Sequence, residues 1–134
     1  MKKILICDGL AESGLGLLRT EPDMCFDVPD QPGAEEITSM LPHYDAMIVR
    51  SRTTVTSAML AIPGDLKVIG RAGTGIDNID VGAATSKGIL VMNTPGANAM
   101  AAAEHTMALM LALARHIPQA TQSMREGRWE KKAF

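Results

Sequence analysis

The sequence predicts an α/β protein: a parallel sheet of five strands with helices on both faces, followed by a long carboxyl-terminal helix. Two features support this fold class. Short apolar runs alternate with helical segments, as in proteins built from strand–helix–strand units. Several of these runs are apolar at every position, which is typical of parallel strands buried on both faces. Right-handed crossovers then favour the strand order 2-1-3-4-5, the flavodoxin-like layout.

The elements follow one another with recognisable boundaries. The first strand is the apolar run 3–7, which Asp8 and Gly9 end. Thr56 is expected to cap the third helix, and Asp80 stands at the N-cap position of the fourth, which ends at Lys87-Gly88. The other predicted strands are 24–28, 46–49, 66–69 and 89–92, and the predicted helices are 10–18, 34–41, 57–60 and 79–86.

The composition limits the class of protein. A chain of 134 residues allows one domain with a sizeable core, and 46% hydrophobic with 21% charged residues is typical of soluble globular proteins. The formal net charge of −2 gives no indication of a nucleic-acid or membrane partner. No apolar run approaches the roughly 18 residues of a membrane span. Cys7 and Cys25 lie in predicted strands, which favours reduced core thiols in a cytoplasmic protein.

A glycine-rich loop follows the predicted strand 66–69. It contains Gly70, Gly73 and Gly75, which can adopt positive φ and leave backbone N–H groups open to an anion. Arg71 lies inside this loop, and its planar guanidinium suits a carboxylate or a phosphate. An ordinary strand-to-helix turn with a surface arginine is the alternative. Since the loop 50–52 also carries arginine and ends a strand at the same sheet edge, we favour an anion site there.

The last forty or so residues form a second part of the chain. Asn98 is the expected N-cap of a helix over 99–114 that is apolar on every side, and a more polar helix is predicted at 119–126. A helix of this kind must be buried by a second domain or subunit, or else form the core of this domain. We therefore divide the chain into a domain at 1–95 and a helical segment at 96–134.

No catalytic or metal-binding pattern is recognisable. The segment 14–19 imitates a dinucleotide-binding Gly-x-Gly-x-x-Gly but lacks the third glycine and lies within a predicted helix. His43, His105 and His116 are scattered, no Cys/His cluster has metal-ligand spacing, and His105 is best explained by packing. We assign no catalytic residue and no metal ligand within this chain.

Four segments together resemble the amino-terminal part of D-2-hydroxyacid dehydrogenases. The forms Ala-Gly-Thr-Gly and Ala-Ala-Glu-His-Thr favour the phosphoglycerate dehydrogenases over formate, lactate or glycerate relatives. The ending 127–134 resembles the residues just before the cofactor domain of those enzymes. The matching segments are 49–53, 70–80, 91–95 and 102–106.

The resemblance implies a role for several residues. Arg50 and Arg71 would face the carboxylate and phosphate of 3-phosphoglycerate, the backbone of Ala72-Gly73 would hold the carboxylate, and Arg52 is a weaker candidate. Thr74 would reach the nicotinamide end of NAD. Asn98 and Glu104 would shape the hinge between lobes.

The resemblance also implies an activity. The complete enzyme would be a cytoplasmic homo-oligomer, a dimer or tetramer, that oxidises 3-phosphoglycerate to 3-phosphohydroxypyruvate with NAD in serine biosynthesis. The family's dinucleotide fingerprint and its catalytic arginine, glutamate and histidine would lie beyond Phe134, so the 134-residue chain alone is expected to be inactive.

Three alternatives remain open at this point. The first is another D-2-hydroxyacid dehydrogenase, of the glycerate or hydroxypyruvate reductase type. The second is a non-catalytic, corepressor-like relative of the same fold. The third is a receiver domain, which also starts Lys-Ile-Leu-Ile-x-Asp, although Arg50 stands where a receiver needs its phospho-accepting aspartate.

Overall fold

The computed structural model describes all 134 residues, which form two compact units, Met1–Gly96 and Ala97–Phe134. The first unit holds the sheet and three helices, and the second holds the last two helices. None of the helices is both long and apolar enough to cross a membrane.

The sheet is parallel throughout and has the order β2-β1-β3-β4-β5, which confirms the predicted topology. The register aligns Val49 of β3, Arg71 of β4 and Asn93 of β5, so the last residues of three strands lie side by side. The strands are β1 Lys2–Ile6, β2 Met24–Asp27, β3 Ala46–Val49, β4 Val68–Arg71 and β5 Leu90–Asn93.

The helices of the first unit are α1 Glu12–Arg19, α2 Ala34–Met40 and α3 Val81–Ser86, with a 3-10 turn at Leu41–His43. The predicted cap of α3 is confirmed, because the Asp80 carboxylate accepts a 2.9 Å hydrogen bond from the Ala83 N–H. The predicted C-cap is confirmed as well: Lys87 ends the helix and Gly88 adopts a φ of +69°.

The main core cluster lies on one face of the sheet. Leu5, Met47 and Ile69 are fully buried on it, in a cluster to which α2 contributes Ile37 and α3 contributes Ala84. The opposite face is open at β5, where Leu90 and Met92 are 58% and 53% exposed. Burial on one face fixes the strand register, because a one-residue slip would expose the whole buried set.

Most predicted boundaries shift by one or two residues; the helix predicted at 79–86, for example, starts at Val81. Two further differences concern β4 and the segment 57–60. β4 starts at Val68 rather than residue 66 and runs through Gly70 to Arg71, since those residues pair with Ala46–Val49. Residues 57–60 form turns rather than a helix. Thr56 still caps them, as its Oγ1 accepts from the Met59 N–H at 3.3 Å, but a segment this short cannot offset the cost of helix nucleation.

The second unit consists of α4 Ala99–Ala114 and α5 Ile117–Arg125. The bounds of α4 are as predicted, whereas α5 starts two residues earlier than predicted. Pro118 lies in its first turn, where no backbone N–H is needed. No residue of α4 is buried, although the helix is apolar all round.

Candidate functional site

The end of β1 holds the loop that follows β3. The Asp8 side chain is only 3% exposed. Its Oδ2 accepts from the Arg50 N–H at 2.6 Å and from the Thr53 N–H at 3.1 Å. Its Oδ1 accepts from the Thr53 hydroxyl at 2.5 Å and from Arg52 Nε at 3.2 Å. One buried carboxylate therefore fixes residues 50–53, which we call the Arg50 loop.

The charge on Asp8 is stabilised by these same contacts. Burial by itself would raise the pKa of Asp8, but the hydrogen bonds from Thr53, Arg50 and Arg52 outweigh it, and the pKa is lowered from its usual value. Asp8 is therefore ionised at neutral pH. A fixed negative charge beneath the loop favours the orientation of its N–H groups seen here.

Asn78 holds the same loop through its carbonyl groups. Its Nδ2 donates to the Arg50 carbonyl and to the Thr53 carbonyl, each at 2.7 Å. Its Oδ1 is buried and has no partner. Asp8 and Asn78 thus engage the N–H and the C=O of the same two residues, Arg50 and Thr53.

The arginines of this loop have different environments. Arg52 Nη2 donates to the Cys7 carbonyl at 2.6 Å and Nε to Asp8, so this side chain ties the loop to β1. The guanidinium of Arg50 makes no hydrogen bond and no ion pair, and the residue is exposed. Of the two predicted candidates, Arg50 is the one free to bind a ligand.

Arg71 is the last residue of β4 and is half-buried. Its Nε is buried without a hydrogen-bond partner. A Cβ on Gly73 would lie 1.4 Å from Arg71 Nη1, so the guanidinium lies over that glycine. None of Gly70, Gly73 and Gly75 uses the positive φ that glycine allows. At Gly73 the absence of a side chain leaves room for the Arg71 guanidinium.

Two backbone amides of this loop, those of Ala72 and Gly73, are engaged within the protein. The Ala72 N–H donates to the Val49 carbonyl and the Gly73 N–H to the Arg71 carbonyl, both at 2.8 Å. Their predicted contact with a substrate carboxylate therefore stays a prediction. At this sheet edge, the Arg50 guanidinium and Arg71 Nε are donors without a partner.

A groove of about 260 Å³ adjoins Arg71. Its walls are mainly apolar, and Asn93 and Thr94 add polar groups after β5. The Asn93 amide donates to the Thr74 carbonyl at 2.7 Å, and the Thr74 hydroxyl lies 3.4 Å from the Thr94 carbonyl. The groove is lined by Leu10, Ile48, Gly70, Arg71, Ala72, Met92, Asn93 and Thr94.

The predicted site residues fall in both units. Arg50, Arg71 and Thr74 lie at the carboxyl edge of the sheet in the first unit. Asn98 and Glu104 belong to the second unit, where Asn98 precedes α4 and its carbonyl accepts from the Ala102 N–H at 3.0 Å. No group of three or more His, Cys, Asp or Glu side chains is placed to hold a metal ion.

Sequence reasoning missed the roles of Asp8 and Asn78. In the sequence, Asp8 stands out only as the residue that ends the first strand, and Asn78 only as part of the segment 70–80. A carboxylate directly after a fully apolar strand was the available signal, because a charge there must find partners. Nothing in the sequence indicates which loop supplies them.

Comparison with known proteins agrees with this architecture. Residues 4–130 match the sequence profile of the D-isomer specific 2-hydroxyacid dehydrogenase family, catalytic domain. The chain belongs to this family. The resemblance inferred from the motifs is confirmed, and the receiver-domain alternative is excluded.

Similar dehydrogenases come from distant organisms. D-3-phosphoglycerate dehydrogenase of Synechocystis sp. is 46% identical over 134 residues, which cover 100% of this chain and 24% of that protein. D-3-phosphoglycerate dehydrogenase of Homo sapiens is 45% identical over 136 residues, covering 100% of this chain and 25% of that protein. The chain thus spans about a quarter of the length of the curated relatives it matches.

A solved structure of the family shares the fold. The NAD⁺-bound 3-phosphoglycerate dehydrogenase of Entamoeba histolytica superposes with a TM-score of 0.73 at 28% sequence identity. The similarity covers 83% of this chain and 38% of that one.

Proposed function

We propose that this chain is the substrate-binding part of an NAD-dependent D-3-phosphoglycerate dehydrogenase. The complete enzyme oxidises 3-phosphoglycerate to 3-phosphohydroxypyruvate, the first step towards serine. The names of the similar dehydrogenases support this substrate. The structural observation that carries the proposal is the pair Arg50 and Arg71, which lie at the carboxyl ends of neighbouring strands and have guanidinium donors without partners.

The two arginines suit a small molecule with two anionic groups. Arg50 follows Val49, and Val49 aligns with Arg71 in the sheet, so both side chains start from one edge. A phosphate and a carboxylate each accept charge-assisted hydrogen bonds, which are about twice as strong as neutral ones. Arg71 Nε, buried and unpartnered, gains a partner when an anion binds. Arg52 acts through Asp8 rather than on the substrate.

The chain contributes little to holding NAD, which accepts the hydride when bound. Of the predicted residues, only Thr74 offers a hydroxyl at the edge of the site, beside Thr94. No strand of the sheet is followed by Gly-x-Gly-x-x-Gly, the sequence that places a pyrophosphate at a helix N-terminus. The residues present fit the nicotinamide end alone, and the rest of the cofactor is held by the remainder of the enzyme.

The two parts of the chain have separate roles in this proposal. Residues 1–95 are the substrate-binding lobe, and 96–134 are helices that join it to the cofactor domain and to a second subunit, with Asn98 and Glu104 at the hinge. The exposed apolar surface of α4 supports this assignment. We propose a cytoplasmic homo-oligomer, a dimer or tetramer, without a nucleic-acid or membrane partner. The reduced Cys7 and Cys25 fit that compartment.

Steady-state kinetics of the complete enzyme test the proposal. Arg50→Ala and Arg71→Ala should each raise the KM for 3-phosphoglycerate by about ten- to a hundredfold, the loss of a charge-assisted hydrogen bond. The KM for NAD should stay within about twofold. Arg19→Ala is the matched control, because Arg19 pairs with Glu12 and lies over Phe26 in another part of the unit.

The outcome also separates the remaining alternatives. The glycerate or hydroxypyruvate reductase type would be favoured if the enzyme prefers an unphosphorylated hydroxy acid and one of the two arginine variants leaves its KM unchanged. Absence of turnover with any 2-hydroxy acid by the complete protein would favour the non-catalytic relative. An unchanged KM for 3-phosphoglycerate in both alanine variants would refute the anion site.

A further inference from the structure

We propose that Asp8 and Asn78 are positioning residues that set the direction of the Arg50 side chain towards the substrate. They form what we call the Asp8–Asn78 clamp. This inference rests on the proposed function, since it concerns the binding of 3-phosphoglycerate. It assigns a role to a carboxylate and an amide that do not themselves reach the substrate.

The clamp acts on the backbone on both sides of the Arg50 loop. The Asp8 carboxylate accepts hydrogen bonds from the N–H groups of Arg50 and Thr53. The Asn78 amide donates hydrogen bonds to the carbonyls of the same two residues. With N–H and C=O both held, the peptide planes at Arg50 cannot rotate freely. The Cα–Cβ direction of Arg50 is therefore fixed before any ligand binds.

The side chain itself has no such constraint. The Arg50 guanidinium has no protein partner, and the residue is exposed, so nothing but its backbone determines where it points. A long flexible side chain loses rotamer freedom when it binds an anion. Because the backbone is already fixed, binding adds no loss of backbone freedom to that of the side chain, which favours the affinity for the anion.

The clamp joins three strands at one edge. Asp8 follows β1, the Arg50 loop follows β3, and Asn78 follows β4 and its glycine-rich loop. The Asn78 carbonyl also accepts from the Val55 N–H at 2.8 Å, which continues the contact past the loop. Arg50 and Arg71 thus start from segments that are bonded to each other, which keeps the two anion-binding groups in register.

The decisive variant is Asp8→Asn, which keeps the shape of the side chain and removes its charge. In the complete enzyme it should raise the KM for 3-phosphoglycerate about tenfold or more and leave kcat and the KM for NAD within about twofold. Asp45→Asn is the matched control. Asp45 also accepts from a backbone N–H, of Lys3, and from a side chain, of Lys2, but at the amino end of β3.

A double-mutant cycle shows whether Asp8 acts through Arg50. In the Arg50→Ala background, Asp8→Asn should change the KM by less than about twofold, because the side chain it positions is already absent. Additive effects of the two substitutions would overturn the proposal. A merely structural role would lower kcat alike in both backgrounds and leave the KM for 3-phosphoglycerate unchanged.

Hydrogen exchange gives a readout independent of activity. In Asp8→Asn the amides of Arg50 and Thr53 should exchange faster by about tenfold or more, while the Ala72 amide, which donates to Val49, keeps its rate. Unchanged exchange at both amides would overturn the clamp. If Arg50→Ala and Arg71→Ala both leave the KM unchanged, the proposed function fails, and faster exchange would still establish the clamp as a structural element.

Discussion

The guanidinium of Arg71 lies across the backbone of Gly73, where a Cβ atom would stand 1.4 Å from Nη1. The Gly73→Ala variant must therefore move the arginine. Because the clash is with the end of a flexible side chain, we expect stability to fall by less than about 1 kcal/mol. The affinity for 3-phosphoglycerate should fall about tenfold as Arg71 leaves its position. Calorimetric titration and a melting curve measure the two effects.

Gly16→Ala is the control for this substitution. Gly16 lies in α1 with nothing within 4 Å of its would-be Cβ, so alanine should stabilise the helix by roughly 0.5–1 kcal/mol and leave binding unchanged. Equal affinity of wild type and Gly73→Ala would show that Arg71 does not bind the substrate from this conformation.

The shape of the Arg71 side chain should matter as well as its charge. In the complete enzyme, Arg71→Lys should recover only part of the affinity that Arg71→Ala loses, since lysine has no planar fork and no equivalent of Nε. The KM for 3-phosphoglycerate should lie between the values for wild type and alanine variant. If the KM of the lysine variant equals that of wild type, Arg71 contributes only its positive charge.

The clamp should make stability depend on pH in the acid range. The pKa of Asp8 is lower in the folded protein than its usual value, so its charged form stabilises the fold above about pH 4, and this contribution disappears as the pH falls through the folded pKa. At pH 7, Asp8→Asn should destabilise the protein by about 1–3 kcal/mol.

Urea unfolding from pH 7 to pH 2 measures this dependence. The difference in free energy of unfolding between wild type and Asp8→Asn should shrink below about pH 4. Asp30→Asn is the control, because Asp30 is exposed and its carboxylate forms no hydrogen bond. A difference that stays constant down to pH 2 would count against a charged Asp8.

The surface of α4 should cause the 134-residue chain to associate. Leu109 and Leu113 lie one turn apart on this helix and are 57% and 73% exposed. Changing both to glutamine should shift the sedimentation of concentrated samples towards monomer, since an exposed apolar patch favours self-association. Leu17→Gln in α1, at a residue 72% exposed, should not. A monomeric wild-type chain at high concentration would contradict the prediction.

The 134-residue chain alone should produce no NADH from 3-phosphoglycerate. It holds no dinucleotide fingerprint after a strand, and no general base has been assigned in it. An absorbance assay for NADH on the purified chain tests this, with the complete enzyme as the positive control. Measurable turnover would show that catalytic groups lie within the residues described.

The topology was predictable because it follows from local patterns. Apolar runs of about five residues between turn formers give strands, and crossover handedness restricts their order. The boundary of β4 was not predictable in this way. Leu66 is apolar and buried, yet it lies outside the strand, and the pairing of Ala46 with Val68 decides where the strand begins.

The candidate site was predictable only in part. Arg50 and Arg71 could be assigned to one edge, because each follows or ends an apolar run. The different roles of Arg50 and Arg52 were not predictable, since they depend on which of the two guanidinium groups Asp8 contacts across 44 residues of sequence. Contacts of that kind depend on the folded backbone rather than on spacing.

The arrangement of the sheet has a consequence for biosynthesis. All the strand pairs of the sheet form between residues 2 and 93, and no pairing involves α4 or α5. Domains generally fold in order as they leave the ribosome. The sheet can therefore be complete while the apolar residues of α4 are still in the ribosomal exit tunnel. Protease resistance of the first unit in stalled nascent chains would show this order of folding. Vectorial synthesis would then keep that helix from competing with the strands for the interior of the first unit.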